Sequence, residues 1–252
     1  MKKITKFSIF SLAILGVISL LSIGCKKSSD NNNNNPPLTT ITDIDGNVYH
    51  TVTIGTQVWM VENLKTTKYN DGSSIPLVPV DSVWVKLSTP AYCWYDNNIE
   101  YKNTYGALYN WYTIQTGKLC PAGWHIPTEA DLNTLATYLG GPSVAGGKLK
   151  ETGTSHWESP NTAATNESGF TAYAGGLRTV DRSEWFGHMV YSCYYTGLGS
   201  DGSWWTTSYN ETTHNCICLD LVYDYGYMDS SGFFAGDGFQ KRRGLSVRCI
   251  KN

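Results

Sequence analysis

The sequence carries little charge and almost no imbalance of it. Only 16% of its 252 residues are Asp, Glu, Lys or Arg, and the formal net charge is −2. A near-neutral chain offers no basic face to a phosphate backbone, which excludes nucleic acid as a partner. Catalytic signatures are missing as well. There is no H-E-x-x-H, no G-x-S-x-G and no Walker loop, so the sequence does not read as a zinc peptidase, an α/β-hydrolase or a P-loop nucleotidase. Gly197, Gly199 and Gly202 spell G-x-G-x-x-G, yet no strand-to-helix unit surrounds them. No internal repeat stands out, and no transmembrane segment follows residue 24.

The first 24 residues have a different character. Lys2, Lys3 and Lys6 precede an apolar run from Phe7 to Ile23, the layout of a secretory signal peptide. The run ends at Gly24-Cys25, a small residue before a cysteine, as in a bacterial lipobox, although Ser22 stands where Leu is usual. Cleavage there makes Cys25 the lipidated first residue of the mature chain; the plainer alternative is ordinary signal cleavage with Cys25 a bystander. Each buried acyl CH2 contributes about 0.8 kcal/mol, so several chains would hold the protein at a membrane without a transmembrane helix. Residues 26–37, "KKSSDNNNNNPP", have nothing apolar to bury and read as a solvated tether. The expected layout is a signal over 1–24, a lipidated tether over 25–37 and one folded domain over 38–252, long enough for a sizeable core.

What the domain has in quantity is aromatic residues and cysteine. Trp, Tyr and Phe make up 13% of the chain, with 9 Trp and 17 Tyr, which with frequent glycine suggests a β-rich, loop-rich extracytoplasmic fold. Setting Cys25 aside leaves Cys93, Cys120, Cys193, Cys216, Cys218 and Cys249 as disulfide candidates. An even set in an oxidising compartment favours bridges over thiols, and of the fifteen connectivities we favour one that pairs Cys120 with Cys249.

Along the chain, Asp45-Gly46 predicts a hairpin turn into a strand alternating Val48, His50, Val52 and Ile54. Asp43, Asp45 and Asn47 also occupy positions 1, 3 and 5 of a calcium loop, but the glycine is misplaced and no Glu follows at position 12. Residues 65–90 read as surface loop around a strand near Val83 to Leu87. Tyr105 to Ile114 suggests a helix with Leu108, Trp111 and Tyr112 on one face, aromatics that read as core or core rim. "LCPAGWHIPTEADLNTLATYLGG" predicts a turn, a short strand at 124–126 and a helix capped by Thr128 with Asp131 as its partner, apolar at Leu132, Leu135, Ala136 and Leu139 and stopped by Gly140-Gly141. The rest reads as loops and short strands. His214, Cys216 and Cys218 fall on one strand face, compatible with soft-metal ligation, although disulfides suit the compartment better. Trp204 and Trp205, if in a strand, send one ring to the core and one to solvent. An exposed indole there could stack on a sugar, with Trp157, Asn161, Asn166 and Glu167 as further ligand-binding candidates.

Six blocks, "VTIGTQVWMVENLKTTKYNDGSSIP", "YGALYNWYTI", "LCPAGWHIPTEADL", "TNESGFTAYAGGLR", "WWTTS" and "GLSVRCIKN", together resemble the Fibrobacter succinogenes major paralogous domain family, across residues 41–252 and in order. That resemblance implies a surface or secreted lipoprotein of Bacteroidetes or Fibrobacteres. "HIPTEADLNTLA" and "GLSVRCI" are also similar to the core helix and terminal strand of the formylglycine-generating, sulfatase-modifying family, implying an α+β, C-type-lectin-like fold whose last strand returns beside the N-terminal hairpin. That family's copper-binding cysteines are spaced C-x4-C, whereas this chain has Cys216-x-Cys218, so its oxidase chemistry does not carry over. The lectin motifs E-P-N and W-N-D are absent; "ESPN" at 158–161 is a loose echo, and calcium has no clear motif. The expectation is an outer-membrane, surface-exposed lipoprotein with a non-catalytic recognition domain for a glycan or a surface protein. A structural or adhesive component and an oxidative enzyme using Cys216 and Cys218 are the rivals.

Overall fold

The computed structural model describes residues 39–186, 188–231 and 239–252. The expected signal peptide, Cys25 and the expected tether lie outside the described residues. Among those residues no helix is long and apolar enough to cross a membrane.

The chain enters through β1 (Thr39–Thr42) and turns at Asp45-Gly46 into β2 (Val48–Ile54), then β3 (Gln57–Met60). The first turn is held by Asp43, whose carboxylate accepts from the Asp45 and Asn47 N–H groups at 2.9 Å and from the Tyr49 hydroxyl at 2.5 Å. Both oxygens are therefore engaged by donors, the opposite of a calcium ligand. Asp45 is likewise taken up by Thr66, Thr67 and Lys68. The facing of β2 changes along its length: Ile54 is buried and Val52 packs against the core, as the alternation predicts, but Tyr49 takes the inward place at its start. It and Thr51 point inward, while Val48 is 50% exposed and His50 pairs with Glu62 on the outside. A ring anchored by a buried hydroxyl bond outweighs one valine.

Val83 begins no strand. α1 (Asp81–Trp84) is a single helical turn, fixed because Trp84 is fully buried and its indole N–H donates to the Arg242 carbonyl. β4 (Tyr92–Cys93) follows, then α2 (Lys102–Tyr105), β5 (Leu108–Tyr109) and α3 (Trp111–Ile114). The predicted helix over 105–114 is thus split. Leu108 and Tyr109 pair with Cys93 and Tyr92, and Asn110 restarts the helix by accepting from the Thr113 N–H.

β6 (Trp124–His125) leads into α4 (Glu129–Tyr138), where the expected capping box is present: Thr128 accepts from the Asp131 N–H, and Asp131 accepts from the Thr128 N–H at 2.8 Å. Leu132, Leu135, Ala136 and Leu139 are all buried. A second helix, α5 (Pro142–Leu149), follows where loop was expected. Its Gly146 and Gly147 hide it from a propensity reading, but they let it pack against the Tyr227 and Ala163 carbonyls, which an added Cβ would meet at 2.1 and 2.2 Å.

The second half is β-dominated, as expected: β7 (Gly175–Trp185), β8 (His188–Leu198), β9 (Asp201–Asn210) and β10 (Asn215–Val222), before β11 (Ile250–Lys251) closes the chain. These strands form a five-stranded sheet in the order β1-β2-β3-β11-β6, a four-stranded sheet β10-β9-β7-β8 and the small pair β4-β5. Ile250 pairs with Trp59 of β3 and His125 of β6, so the last strand does return beside the N-terminal hairpin. Cys120 and Cys249 are disulfide-bonded across that junction. The architecture is α+β, rich in strand and loop.

Candidate functional site

Both tryptophans of "WWTTS" are buried, Trp204 at 2% and Trp205 at 0% exposure. Alternation does send them to opposite faces of β9, but both faces are covered. Trp204 meets Phe170 edge-on at 6.1 Å and donates to Asn63 Oδ1; Trp205 meets Trp111 at 5.4 Å and donates to the Tyr109 carbonyl. Neither can stack on a sugar. The other ligand candidates are also occupied by the fold. Trp157 is buried with its N–H on the Ala172 carbonyl. Asn161 is buried and bonds the Glu151 and Gly153 carbonyls. Asn166 holds Thr171, and Glu167 pairs with Lys148 at 2.7 Å.

Four of the cysteine candidates, Cys93, Cys193, Cys216 and Cys218, are unpaired. In β10 the chain bulges between Cys216 and Cys218, His214 sits in the preceding turn at φ 57°, and the Cys218 thiol donates to Asp220 Oδ2 at 3.0 Å. The His214 ring meets Tyr209 instead of the sulfurs. No cluster of three His, Cys, Asp or Glu side chains that could hold a metal occurs among the described residues. Burial pushes Cys216 up to about 12, and burial with the neighbouring Asp220 raises Cys218, so both stay protonated thiols near neutral pH. His125 is structural, bonded to Asn252 at 2.7 Å.

Two concave surfaces gather chemistry-bearing side chains. One, about 340 Å³, is lined by Glu62, Asn63, His156, Tyr173 and Arg248. His156 stacks on Tyr173 at 4.0 Å and bonds Glu151. Arg248 is buried and pushed down to about 9, yet its guanidinium is spent on Asn63 and on the Phe170 and Thr171 carbonyls. Glu62 is engaged with His50. These polar groups hold the surrounding loops.

The other surface, about 480 Å³, differs in kind. α3 supplies Trp111 and Ile114, with Gln115 just after it; the end of β9 supplies Thr207 and Tyr209, with Glu211 beyond; a 3-10 turn, Phe239–Arg242, supplies Lys241. That turn is tied down by Gln240, whose Oε1 accepts from the Cys216 N–H at 2.9 Å. Trp111 forms the apolar floor, inclined to Tyr209 with ring centroids 6.5 Å apart, and Lys241 lies 4.3 Å from the Tyr209 ring centre. Among the described residues no hydrogen bond within the protein occupies the Gln115, Glu211 or Lys241 side chains. The Trp111 indole N–H is buried and likewise has no acceptor. A buried donor without a partner costs about 1–3 kcal/mol unless something supplies an acceptor. The groove can therefore offer aromatic surface and free polar groups together. Tyr209 was not singled out from the sequence, although Trp205, Thr207 and Tyr209 follow the period-two spacing that carries one face of β9 from core to rim.

Comparison with known proteins gives one match. Residues 52–251 match the family described as Fibrobacter succinogenes major domain. No curated protein and no solved structure matches the chain. The matched span runs from the end of β2 to β11 and takes in the four-stranded sheet, the disulfide and the Trp111 groove: the chain belongs to the Fibrobacter succinogenes major domain family.

Proposed function

We propose that this protein is a cell-surface lipoprotein of the outer membrane whose folded domain is a non-catalytic recognition module, and that the groove between Trp111, Tyr209 and Lys241 binds glycan. The observation that carries the reading is the groove's chemistry. A sugar ring presents an apolar C–H face and a rim of hydroxyls; the Tyr209 ring answers the first once the flexible Lys241 side chain moves off it, while Gln115, Glu211 and Lys241 answer the second. The oxidative alternative is weakened because, among the described residues, the thiols of Cys216 and Cys218 are buried and protonated and Cys218 is bonded to a carboxylate. In fold we place the domain with the C-type-lectin-like α+β proteins, on the return of the last strand to the N-terminal sheet and the core helix α4.

The test is binding of the purified protein to a broad panel of glycans and plant polysaccharides, with and without a chelator, beside Tyr209→Ala and Gln115→Ala. Specific binding that both variants weaken supports the reading. Binding to no saccharide, or binding that both variants retain in full, sinks it. A second reading, adhesion to protein, draws on the β7–β8 hairpin, where Met189, Val190 and Tyr194 are exposed at 52%, 41% and 46%; it gains if the panel is silent and the protein captures a surface protein through that hairpin.

A further inference from the structure

Arg178, in the middle of β7, is a fully buried cation whose environment is unusual. Its guanidinium is clamped by the Val78 and Pro79 carbonyls at 2.8 and 2.9 Å and by the Asp81 carboxylate, and it lies 4.4 Å from the Trp84 ring centre and 5.0 Å from that of Tyr195. What it faces is a pair of thiols. Its Nε donates to Cys193 Sγ at 3.2 Å, and Cys93 is buried in the same packed cluster as Cys193 and Tyr195, within electrostatic reach of the guanidinium. Cys93 comes from β4 and Cys193 from the outer strand β8, so the two sulfurs reach one guanidinium from separate layers of the fold.

We infer that Cys93 and Cys193 form a reversible dithiol site, oxidised by a small external disulfide to a Cys93–Cys193 bond. Three observations favour this pair over the other free thiols. Burial raises both thiols, Cys93 to about 11, but the Arg178 cation beside them works against that rise, whereas at Cys218 the Asp220 carboxylate adds to it. The two sulfurs share one packed cluster, so the second exchange step is intramolecular. Access is graded: Cys93 is fully buried and Cys193 only partly so, which gives one entry point and one resolving thiol.

The steps balance without any other reagent. The Cys193 thiolate attacks one sulfur of the external disulfide; that S–S bond breaks, and the released thiolate takes up the proton Cys193 gave. The Cys93 thiolate then attacks the Cys193 sulfur of the mixed disulfide and expels the second thiolate, which takes up the proton from Cys93. Two protein thiols are oxidised to one disulfide, and one external disulfide is reduced to two thiols. The new bond would fasten the long β7–β8 hairpin to β4.

The experiment exposes the folded, full-length protein to oxidised glutathione, then alkylates it after unfolding and maps the peptides by mass. The expected result is joint loss of alkylation at Cys93 and Cys193, a single cross-linked peptide containing both, its reversal by reduced glutathione, and continued labelling of Cys216 and Cys218. A bond already present at isolation, opened by reduced glutathione and reformed by the oxidised form, counts the same way. Cys93→Ser should stall the reaction with one glutathionyl group on Cys193, and Cys193→Ser should abolish it. Undiminished labelling of Cys93 and Cys193, cross-links from either to Cys216 or Cys218, or an unmodified Cys193 in Cys93→Ser would each overturn the inference.

Discussion

Tyr209 stands half-buried at the rim of the groove, with Trp111 beneath it and Lys241 against its face. Because it is half-buried and packs against the core beside Trp111, Tyr209→Ala should lower the melting temperature modestly while leaving the domain folded. It should weaken saccharide binding about tenfold, the loss of roughly 1.5 kcal/mol of stacking, which calorimetric titration would measure. Asp220 makes a different prediction. Its side chain is partly buried, with one carboxylate oxygen fully buried and without a partner, and burial pushes its pKa from 3.8 up to about 6. The folded state thus holds the proton more tightly than the unfolded state, so the group's unfavourable contribution is absent below about pH 4 and grows as pH rises through 6. Asp220→Asn should therefore melt higher than the parent at pH 7.5, with the difference shrinking as pH falls toward 4. A constant difference across that range in thermal denaturation would contradict the assignment.

At the scale of elements, α4 and α5 respond to opposite kinds of change. Thr128→Ala removes the cap that accepts from the Asp131 N–H and should cost about 1 kcal/mol in denaturant unfolding. Gly147→Ala places a carbon against the Ala163 carbonyl and should cost about 3 kcal/mol, although alanine is the better helix former. The contrast explains what the sequence disclosed. α4 was legible because its cap, its apolar spacing and its glycine stop are all local. α5 was not, since the close backbone approach that requires its glycines comes from residues far along the chain. The same holds for α1, set by the burial of Trp84 against Arg242, and for the start of β2, where the Tyr49 hydroxyl chooses the inward face. In the site, the alternation of Trp204 and Trp205 was read correctly but its consequence was not, because the sequence does not say that α3 covers one face of β9 and Phe170 the other. Free polar groups at Gln115 and Lys241 became a candidate site only once three elements were seen to converge.

For the whole molecule, the Cys120–Cys249 bond joins the turn before β6 to the approach of β11, 129 residues apart in sequence. Closing so long a loop restricts the unfolded chain, and Cys120→Ser with Cys249→Ser should lower stability by about 4 kcal/mol, measurable as a shift in denaturant midpoint. The bond and the pairing of β11 with β3 and β6 make a frame, and the groove lies where α3, β9 and the 3-10 turn meet. The central claim is that this groove receives a saccharide against its Trp111 floor and Tyr209 rim. The most direct measurement is the indole N–H spectrum of the nitrogen-labelled protein, with the Trp111 peak assigned by its loss in Trp111→Phe, recorded as a binding saccharide from the panel is added. The account predicts a saturable shift of that peak, absent in Tyr209→Ala at the same concentrations. A saccharide that binds while the Trp111 peak stays still would place recognition elsewhere on the protein and contradict the account.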